Sequence, residues 1–278
     1  DGGEGHDTVD FSSSVSGVSV DLSSGTLVDG SGLVDEFTSL ESVIGSGFSD
    51  VITGSSTSEV LFGGNGSDII TGGGGTDVID GGGGDDVLEV DGSFGGTIEG
   101  GSGSDSLDLV GLTNQVLVSG VEVITGGFGS DHLTVTSNHI QQISGGDGTD
   151  EVLLTSGAGN TVLLDGVEFI AGGSGSDHLT VTDDTSVSID GGLGSDTLIG
   201  GLGNDTLQGG GGDDVFVVDG GEDTFDGGQG HDTVDFSSSV SGVSVDLSSG
   251  TLVDGSGLVD EFTSVESVIG SDFLDVIT

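Results

Sequence analysis

The sequence predicts an all-β protein, a parallel β-roll or β-solenoid with about 18 residues per coil. Three observations predict this fold. A glycine-rich nonapeptide, Gly-Gly-x-Gly-x-Asp-x-U-x with U apolar, occurs twelve times in 278 residues. The residues after each Asp alternate between variable and apolar, as in a short strand with one buried face. With 61 glycines, no tryptophan or tyrosine and 31% hydrophobic residues, the chain can fill only a thin core.

The nonapeptide supplies both the turn and the strand of the predicted coil. Its eighth residue is apolar in every copy, from Val9 to Val234, whereas its seventh residue varies freely. One turn and one short strand cannot close a core, so we expect two nonapeptides to form each coil and the coils to stack in parallel. The copies start at Gly2, Gly63, Gly72, Gly81, Gly100, Gly126, Gly145, Gly172, Gly191, Gly200, Gly209 and Gly227.

Degenerate nonapeptides and spacers complete the predicted solenoid. Imperfect copies at 45–53, 54–62 and 218–226 extend the motif into two arrays, residues 45–89 and 191–235. The stretches 109–125 and 154–171 each insert about one coil that lacks the motif. We therefore predict one solenoid in which motif-rich coils alternate with coils that have lost the turn signature.

A longer repeat is superimposed on the nonapeptides. Residues 1–53 recur as residues 226–278 with four changes, Glu4 to Gln229, Leu40 to Val265, Gly47 to Asp272 and Ser49 to Leu274. This spacing predicts one tandem unit over residues 1–225 and the start of the next over 226–278. We expect the chain to be a window of a longer tandem array.

Composition points to a divalent cation as the partner of the acidic side chains. The formal charge is −49, with no Lys or Arg to pair with any carboxylate. Nucleic acid and anionic membrane surfaces are excluded as partners, because both are bound through basic residues. No apolar stretch is long enough to insert in a membrane. The chain has no Cys and only five scattered His, so its metal ligands would be oxygen atoms. Oxygen ligands favour calcium over zinc or iron.

The nonapeptide suits calcium in a specific way. Its glycines allow positive φ angles that turn backbone carbonyls toward one point, and its Asp adds a carboxylate at the exit of the turn. Because calcium takes six to eight oxygens, about one ion is expected between the turns of adjacent coils, about 18 residues apart. The predicted pairs are Asp50 with Asp68, Asp68 with Asp86, Asp196 with Asp214, Asp205 with Asp223, and Asp214 with Asp232.

The candidate calcium ligands are the Asp residues at the sixth place. Those at Asp105, Asp131, Asp150 and Asp177 lie in isolated copies, where the stacked neighbour is less regular. Such an Asp can also simply cap its own turn. The full set is Asp7, Asp50, Asp68, Asp77, Asp86, Asp105, Asp131, Asp150, Asp177, Asp196, Asp205, Asp214, Asp223 and Asp232.

Other polar residues give no second site. The five histidines form no metal or catalytic pair by spacing, and exposed positions explain them. Four glutamates recur before an apolar pair and are interpreted as ladder or edge residues, since a general acid or base would need a partner group and a pocket. They are Glu41, Glu122, Glu168 and Glu266.

These residues resemble the hemolysin-type calcium-binding repeats of RTX (repeats-in-toxin) proteins over most of the chain. The segments 7–11, 17–22 and 40–45 look like linking coils of very large bacterial RTX surface proteins. The resemblance implies a parallel β-roll with calcium held by the turn backbone and by Asp. It also implies export through a type I secretion system, with folding outside the bacterial cell.

Two functions follow as hypotheses. The first is a secreted structural region whose units, next to neighbouring units of the same long chain or filament, build a stiff extracellular rod, surface-layer component or adhesin extender. The alternative is the calcium-triggered folding and secretion module of an exported RTX toxin or hydrolase. An enzyme within these residues is not expected. Because the rod would stay acidic with calcium bound, lateral association would need further divalent ions.

Overall fold

A computed structural model describes residues 1–91, 94–111, 113–255 and 257–278, and this part of the chain forms strands and turns without any helix. It therefore contains no helical segment capable of spanning a bilayer. The chain divides into two compact units. Unit 1 comprises residues 1–140 and 146–148, and unit 2 comprises residues 141–145 and 149–278. The tandem boundary between 225 and 226 stays a prediction about domain organisation.

Unit 1 is built from short strands, most of three to six residues. They are β1 (Thr8–Asp10), β2 (Ser19–Asp21), β3 (Thr26–Val28), β4 (Val34–Glu36), β5 (Ser42–Ile44), β6 (Val51–Ser55), β7 (Val60–Asn65), β8 (Ile69–Gly73), β9 (Val78–Gly83), β10 (Val87–Val90), β11 (Thr97–Ser102), β12 (Ser106–Leu109), β13 (Gln115–Ser119), β14 (Val123–Thr125) and β15 (His132–Val135).

From β5 to β15, successive strands of unit 1 alternate between two sheets of parallel strands, as a β-solenoid requires. One sheet has the order β1-β5-β7-β9-β11-β13-β15, and the other runs β14-β12-β10-β8-β6-β2. In register, Val60 pairs with Val78 and Ile69 pairs with Val87, each a step of one coil. The predicted fold is therefore confirmed, with two nonapeptides to a coil.

Unit 2 repeats this architecture. Its strands are β16 (Gln142–Ser144), β17 (Glu151–Leu154), β18 (Thr161–Asp165), β19 (Phe169–Ala171), β20 (His178–Val181), β21 (Ser188–Leu193), β22 (Thr197–Ile199), β23 (Thr206–Gly211), β24 (Val215–Val217), β25 (Thr224–Gln229), β26 (Thr233–Asp235), β27 (Ser244–Asp246), β28 (Thr251–Val253), β29 (Val259–Thr263), β30 (Ser267–Ile269) and β31 (Val276–Ile277). The parallel stacks are β17-β19-β21-β23-β25 and β30-β26-β24-β22-β20-β18-β16.

The core of each unit lies between its two sheets and is filled by apolar side chains from both. The eighth residue of the motif is at most 2% exposed in every copy except Val9, which is half-buried. In unit 2, the rings of Phe216 and Phe225 meet across the core with centroids 5.5 Å apart. The buried pattern predicted from the eighth place is thus confirmed.

The spacer coils follow the same path without the motif. Residues 109–125 contribute β13 and β14, and residues 154–171 contribute β18 and β19. Position 112, within the first spacer, lies outside the described residues. Apolar alternation is therefore enough to form a coil, because burial of every second side chain fixes the strand register.

The long repeat departs from a purely parallel coil. In unit 1, β2, β3 and β4 form an antiparallel meander, and β27, β28 and β29 do the same in unit 2. The reason is a hairpin signal between the first two strands. Asp21 accepts hydrogen bonds from the backbone N–H groups of Ser23 and Ser24 (2.8 and 3.0 Å), and Gly25 takes a φ of +68°. The sequence expectation of parallel stacking throughout was wrong here.

Candidate metal sites at the glycine-rich turns

The sixth-place Asp of each nonapeptide lies at the end of its turn, directly before a strand. Thirteen of the fourteen candidate ligands are buried, with exposed fractions between 0% and 4%. Asp7 is the exception and is half-buried. The four isolated copies are buried as deeply as the arrays, at 1% for Asp105 and Asp150 and 2% for Asp131 and Asp177.

The buried carboxylates are stacked through the backbone of the preceding coil. The backbone N–H of Asp50 donates to Oδ1 of Asp68, and that of Asp68 donates to Oδ1 of Asp86, both at 2.8 Å. In unit 2, the N–H groups of Asp196, Asp205 and Asp214 donate in the same way to Asp214, Asp223 and Asp232, at 2.8 to 2.9 Å. The structure thus brings together all five predicted pairs, each 18 residues apart.

These hydrogen bonds form ladders along the two edges of each solenoid. One ladder of unit 1 joins Asp50, Asp68, Asp86, Asp105 and Glu122. One ladder of unit 2 joins Asn160, Asp177, Asp196, Asp214, Asp232 and Glu266. On the opposite edge of unit 1, the N–H of Glu59 donates to Asp77. On the opposite edge of unit 2, the N–H groups of Val187, Asp205 and Asp223 donate in turn to the side chains of Asp205, Asp223 and Asp260.

The glutamates interpreted as ladder residues do occupy the ladders. Glu41, Glu122, Glu168 and Glu266 each accept the backbone N–H of the Asp one coil earlier, at 2.7 to 3.0 Å. They replace the sixth-place Asp in coils that lack the nonapeptide.

Sequence reasoning missed three further members, Asn114, Asn160 and Asp260. Each lies two residues before a buried apolar residue. Asn114 and Asn160 lie 17 residues before a nonapeptide Asp, and that coil spacing was the signal that could have found them. Asp260 lies 37 residues after Asp223, so spacing gave no signal for it.

The second carboxylate oxygen of most sixth-place Asp residues is left without a partner. In a group of these Asp residues, drawn from both units, Oδ2 is buried and accepts no hydrogen bond. Burying an unpaired charged oxygen is costly, so this atom calls for a cation. The set comprises Asp68, Asp77, Asp86, Asp105, Asp177, Asp196, Asp205, Asp214 and Asp232.

The first glycine of the motif keeps space open beside this oxygen. A Cβ placed on Gly63 would collide with Oδ2 of Asp68 and with the carbonyl oxygen of Gly81, one coil further. Gly209 stands in the same relation to Asp214 and Gly227. Each of these two turns is therefore a cradle in which a side-chain carboxylate and a backbone carbonyl of the next coil face a space that any side chain would fill.

The other two glycines have a different role. Gly64 and Gly66 take φ angles of +109° and +117°, which only glycine adopts without strain. The first glycine, Gly63, does not have a positive φ. The expectation that all three glycines serve backbone conformation was therefore wrong at the first place, where the need is for space.

Burial and stacking perturb the carboxylates strongly. Burial raises the pKa of Asp68 to about 7, and repulsion from Asp50 and Asp86 adds to the rise, while the N–H of Asp50 opposes it. Burial likewise raises the pKa of Asp223 to about 8, with the charges of Asp205 and Asp260 contributing. Without a cation, these groups resist ionisation at neutral pH.

The small number of converging carboxylates defines what the site can hold. Within the described ranges, no three Asp, Glu or His side chains converge on one point. Any ion in a cradle must therefore draw most of its ligands from backbone carbonyls, which suits a hard cation such as calcium. The buried Oδ2 atoms and the glycine cradles fit that ion.

A second ladder lies on the exposed side of the turns and was not predicted. Here the side chain of a fifth-place residue accepts a hydrogen bond from the backbone N–H of the fifth-place residue one coil later. In the sixth-place ladder the direction is opposite, because the N–H of the earlier residue donates to the side chain of the later one. Examples are Asp85 to Ser67 (3.3 Å), Ser104 to Asp85 (3.0 Å), Asp213 to Ser195 (3.1 Å) and His231 to Asp213 (2.9 Å), donor first. Ser, Asn and Asp at this place thus fasten the coils without being buried.

Comparison with protein families identifies the repeat. The RTX calcium-binding nonapeptide repeat matches in four copies, at residues 41–66, 53–88, 190–225 and 199–234. These segments coincide with the two arrays in which the Asp ladders are most regular. Comparison with curated proteins gives no significant match. The matched nonapeptides are calcium-binding repeats, and by them the chain is an RTX-type calcium-binding repeat protein.

Proposed function

We propose that the chain is the calcium-binding structural repeat region of a secreted bacterial protein, and that its units build a stiff extracellular rod, filament or surface-layer or adhesin extender. The observation that carries this proposal is the pair of buried carboxylate ladders in each unit. A long near-identical repeat supports it as well, because repeated units build length. The β-solenoid of RTX repeats is a structural calcium-binding fold, and we propose no catalytic role.

The proposed ligands are the sixth-place Asp residues, each acting with carbonyl groups of the glycine turns. Bound calcium supplies positive charge between adjacent coils. The chain's own residues then hold the coils in register through the Oδ1 ladders and exclude water through the apolar core. The proposed set is Asp7, Asp50, Asp68, Asp77, Asp86, Asp105, Asp131, Asp150, Asp177, Asp196, Asp205, Asp214, Asp223 and Asp232.

A second candidate is the calcium-triggered folding and secretion module of an exported toxin or hydrolase. The unpartnered Oδ2 atoms favour it, because a chain that buries them is unstable without calcium and would fold only where calcium is abundant. Neighbouring units of the same chain are the proposed partners in the first case. In the second, the partner is a separate functional domain.

Small-angle scattering of chains with one, two and three tandem copies of residues 1–225 separates the two candidates. A rod predicts a maximum dimension in calcium that rises in proportion to copy number, by about 4.8 Å per added coil. The same chains in chelator serve as the control. A dimension that levels off with copy number in calcium would contradict the rod and leave the module.

A further inference from the structure

The two copies of the long repeat place one identical segment in different surroundings. Residues 33–38 and 258–263 have the same sequence, Leu-Val-Asp-Glu-Phe-Thr. In unit 2, β29 pairs with β28 on one side and in parallel with β25 on the other. In unit 1, β4 pairs with β3 and is the edge strand of its sheet.

Pairing with β25 changes the burial of this segment. Asp260 is 0% exposed and Phe262 is 5% exposed, whereas their equivalents Asp35 and Phe37 are exposed and half-buried. The neighbouring strand responds in the same way, since Leu252 is 1% exposed and its equivalent Leu27 is half-buried. The outer side of β4 therefore presents an apolar and acidic surface that its twin buries.

The contacts in unit 2 specify what covers that surface. The backbone N–H of Asp223 donates to Oδ1 of Asp260 (2.8 Å), and the N–H of Glu261 donates to the carbonyl oxygen of Asp223 (2.9 Å). Phe225 pairs in register with Phe262. Asp260 thus continues the sixth-place ladder of the array, and its Oδ2 is buried without a hydrogen-bond partner.

We propose that the outer edge of β4 is a docking surface for the last coil of another copy of the same unit, through its residues 223–225. Docking would convert Asp35 from an exposed side chain into a ladder carboxylate, so that the meander becomes the joint between successive arrays. The inference rests on the proposed function in one respect, that one unit follows another along the chain. It is tested by strand pairing and not by the length of an assembly.

The test adds residues 208–225, one full coil, in front of Asp1 of the intact chain. This addition recreates the sequence of the junction between Phe225 and Asp226. We expect the amide of Glu36, equivalent to that of Glu261, to exchange with deuterium more slowly on the order of tenfold, as for an exposed amide that enters a sheet. An added coil with the same 18 residues in scrambled order is the control, and it should leave the exchange of Glu36 unchanged.

A substitution separates docking from general stabilisation. Asp35→Ala should have little effect in the original chain, where Asp35 is exposed, and should reduce the protection of Glu36 in the extended chain. Equal exchange of Glu36 in the original, extended and scrambled chains in calcium would overturn the inference. So would an Asp35→Ala effect of the same size in the original and extended chains. Either result would leave the calcium-bound rod untouched.

Discussion

The array at residues 191–235 and the spacer at residues 154–171, both in unit 2, form the same coil with different ladder residues. In the array, the ladder positions are filled by fully buried Asp196, Asp214 and Asp232. In the spacer, they are filled by Asn160, whose Nδ2 donates to Asp177 (2.6 Å), and by half-buried Glu168. The hydrogen-bond ladder is therefore common to both regions, and dense buried charge is confined to the array. We infer that calcium dependence is concentrated in the array.

Removing one array carboxylate should have the largest effect among single substitutions. Asp214→Ala leaves the buried N–H of Asp196 without its acceptor, which should lower the free energy of unfolding by about 1–3 kcal/mol. It also removes a proposed calcium ligand, a further loss of about 2.7 kcal/mol at calcium 100-fold above Kd. Denaturant unfolding at high and low calcium measures both parts.

Asp213→Ala is the matched control, because it removes the same charge from the adjacent, exposed fifth place. It also removes the acceptor of the His231 N–H in an exposed hydrogen bond, so we expect a cost of about 0.5–1 kcal/mol, independent of calcium. Equal losses for the two variants would show that burial of Asp214 has no special role.

Filling a cradle should have a smaller effect that is still specific to the array. In Gly209→Ala, the new methyl group meets Oδ2 of Asp214 and the carbonyl of Gly227, so we expect a loss of about 1–3 kcal/mol and one fewer calcium ion bound. Calorimetric titration with calcium gives the number of ions.

The spacer provides the control for this substitution. In Gly157→Ala, the nearest atom to the new methyl group is Oγ of Ser174 at 3.8 Å, so stability and calcium binding should be unchanged. If Gly209→Ala binds as many ions as the parent chain, the first glycine does not keep open a metal site.

Changing the spacer ladder should have a modest effect that does not depend on calcium. Asn160→Ala removes the amide that donates to Asp177 but keeps the backbone N–H bond, so about 1 kcal/mol is expected. Thermal unfolding with and without calcium should give similar shifts. A loss that appears only in calcium would mean that Asn160 supports a metal site.

The pH dependence of the metal-free chain should have a defined sign. The pKa values of Asp68, Asp86 and Asp196 are raised by burial, to about 7, 6 and 6, so the folded state binds protons more tightly than the unfolded state. This stability is fully present below the ordinary Asp pKa and is lost as pH rises through the raised values. The thermal midpoint in chelator should fall between about pH 4 and pH 7. A midpoint that rises over this range would contradict the burial of neutral carboxyls.

The motif predicted the array well because its information is local. Glycines, Asp and the apolar eighth residue lie within nine positions, so the turn, the strand and the spacing of Asp205 from Asp223 could all be derived. Asp260 could not, because it lies 37 residues from Asp223 and its role depends on a strand paired to it from another coil. The meander was missed although the turn before Gly25 carried a hairpin signal, since the repeat pattern favoured parallel stacking.

Hydrogen exchange along the whole chain during calcium removal tests the central claim most directly. As free calcium falls, the amides of the array, such as Asp196 and Asp205, should lose protection first, and those of the spacer, such as Asn160 and Leu163, should lose it at lower calcium. Magnesium should restore the array poorly. Full protection of the array in chelator, or uniform loss along both regions, would contradict the claim that calcium balances the buried carboxylates.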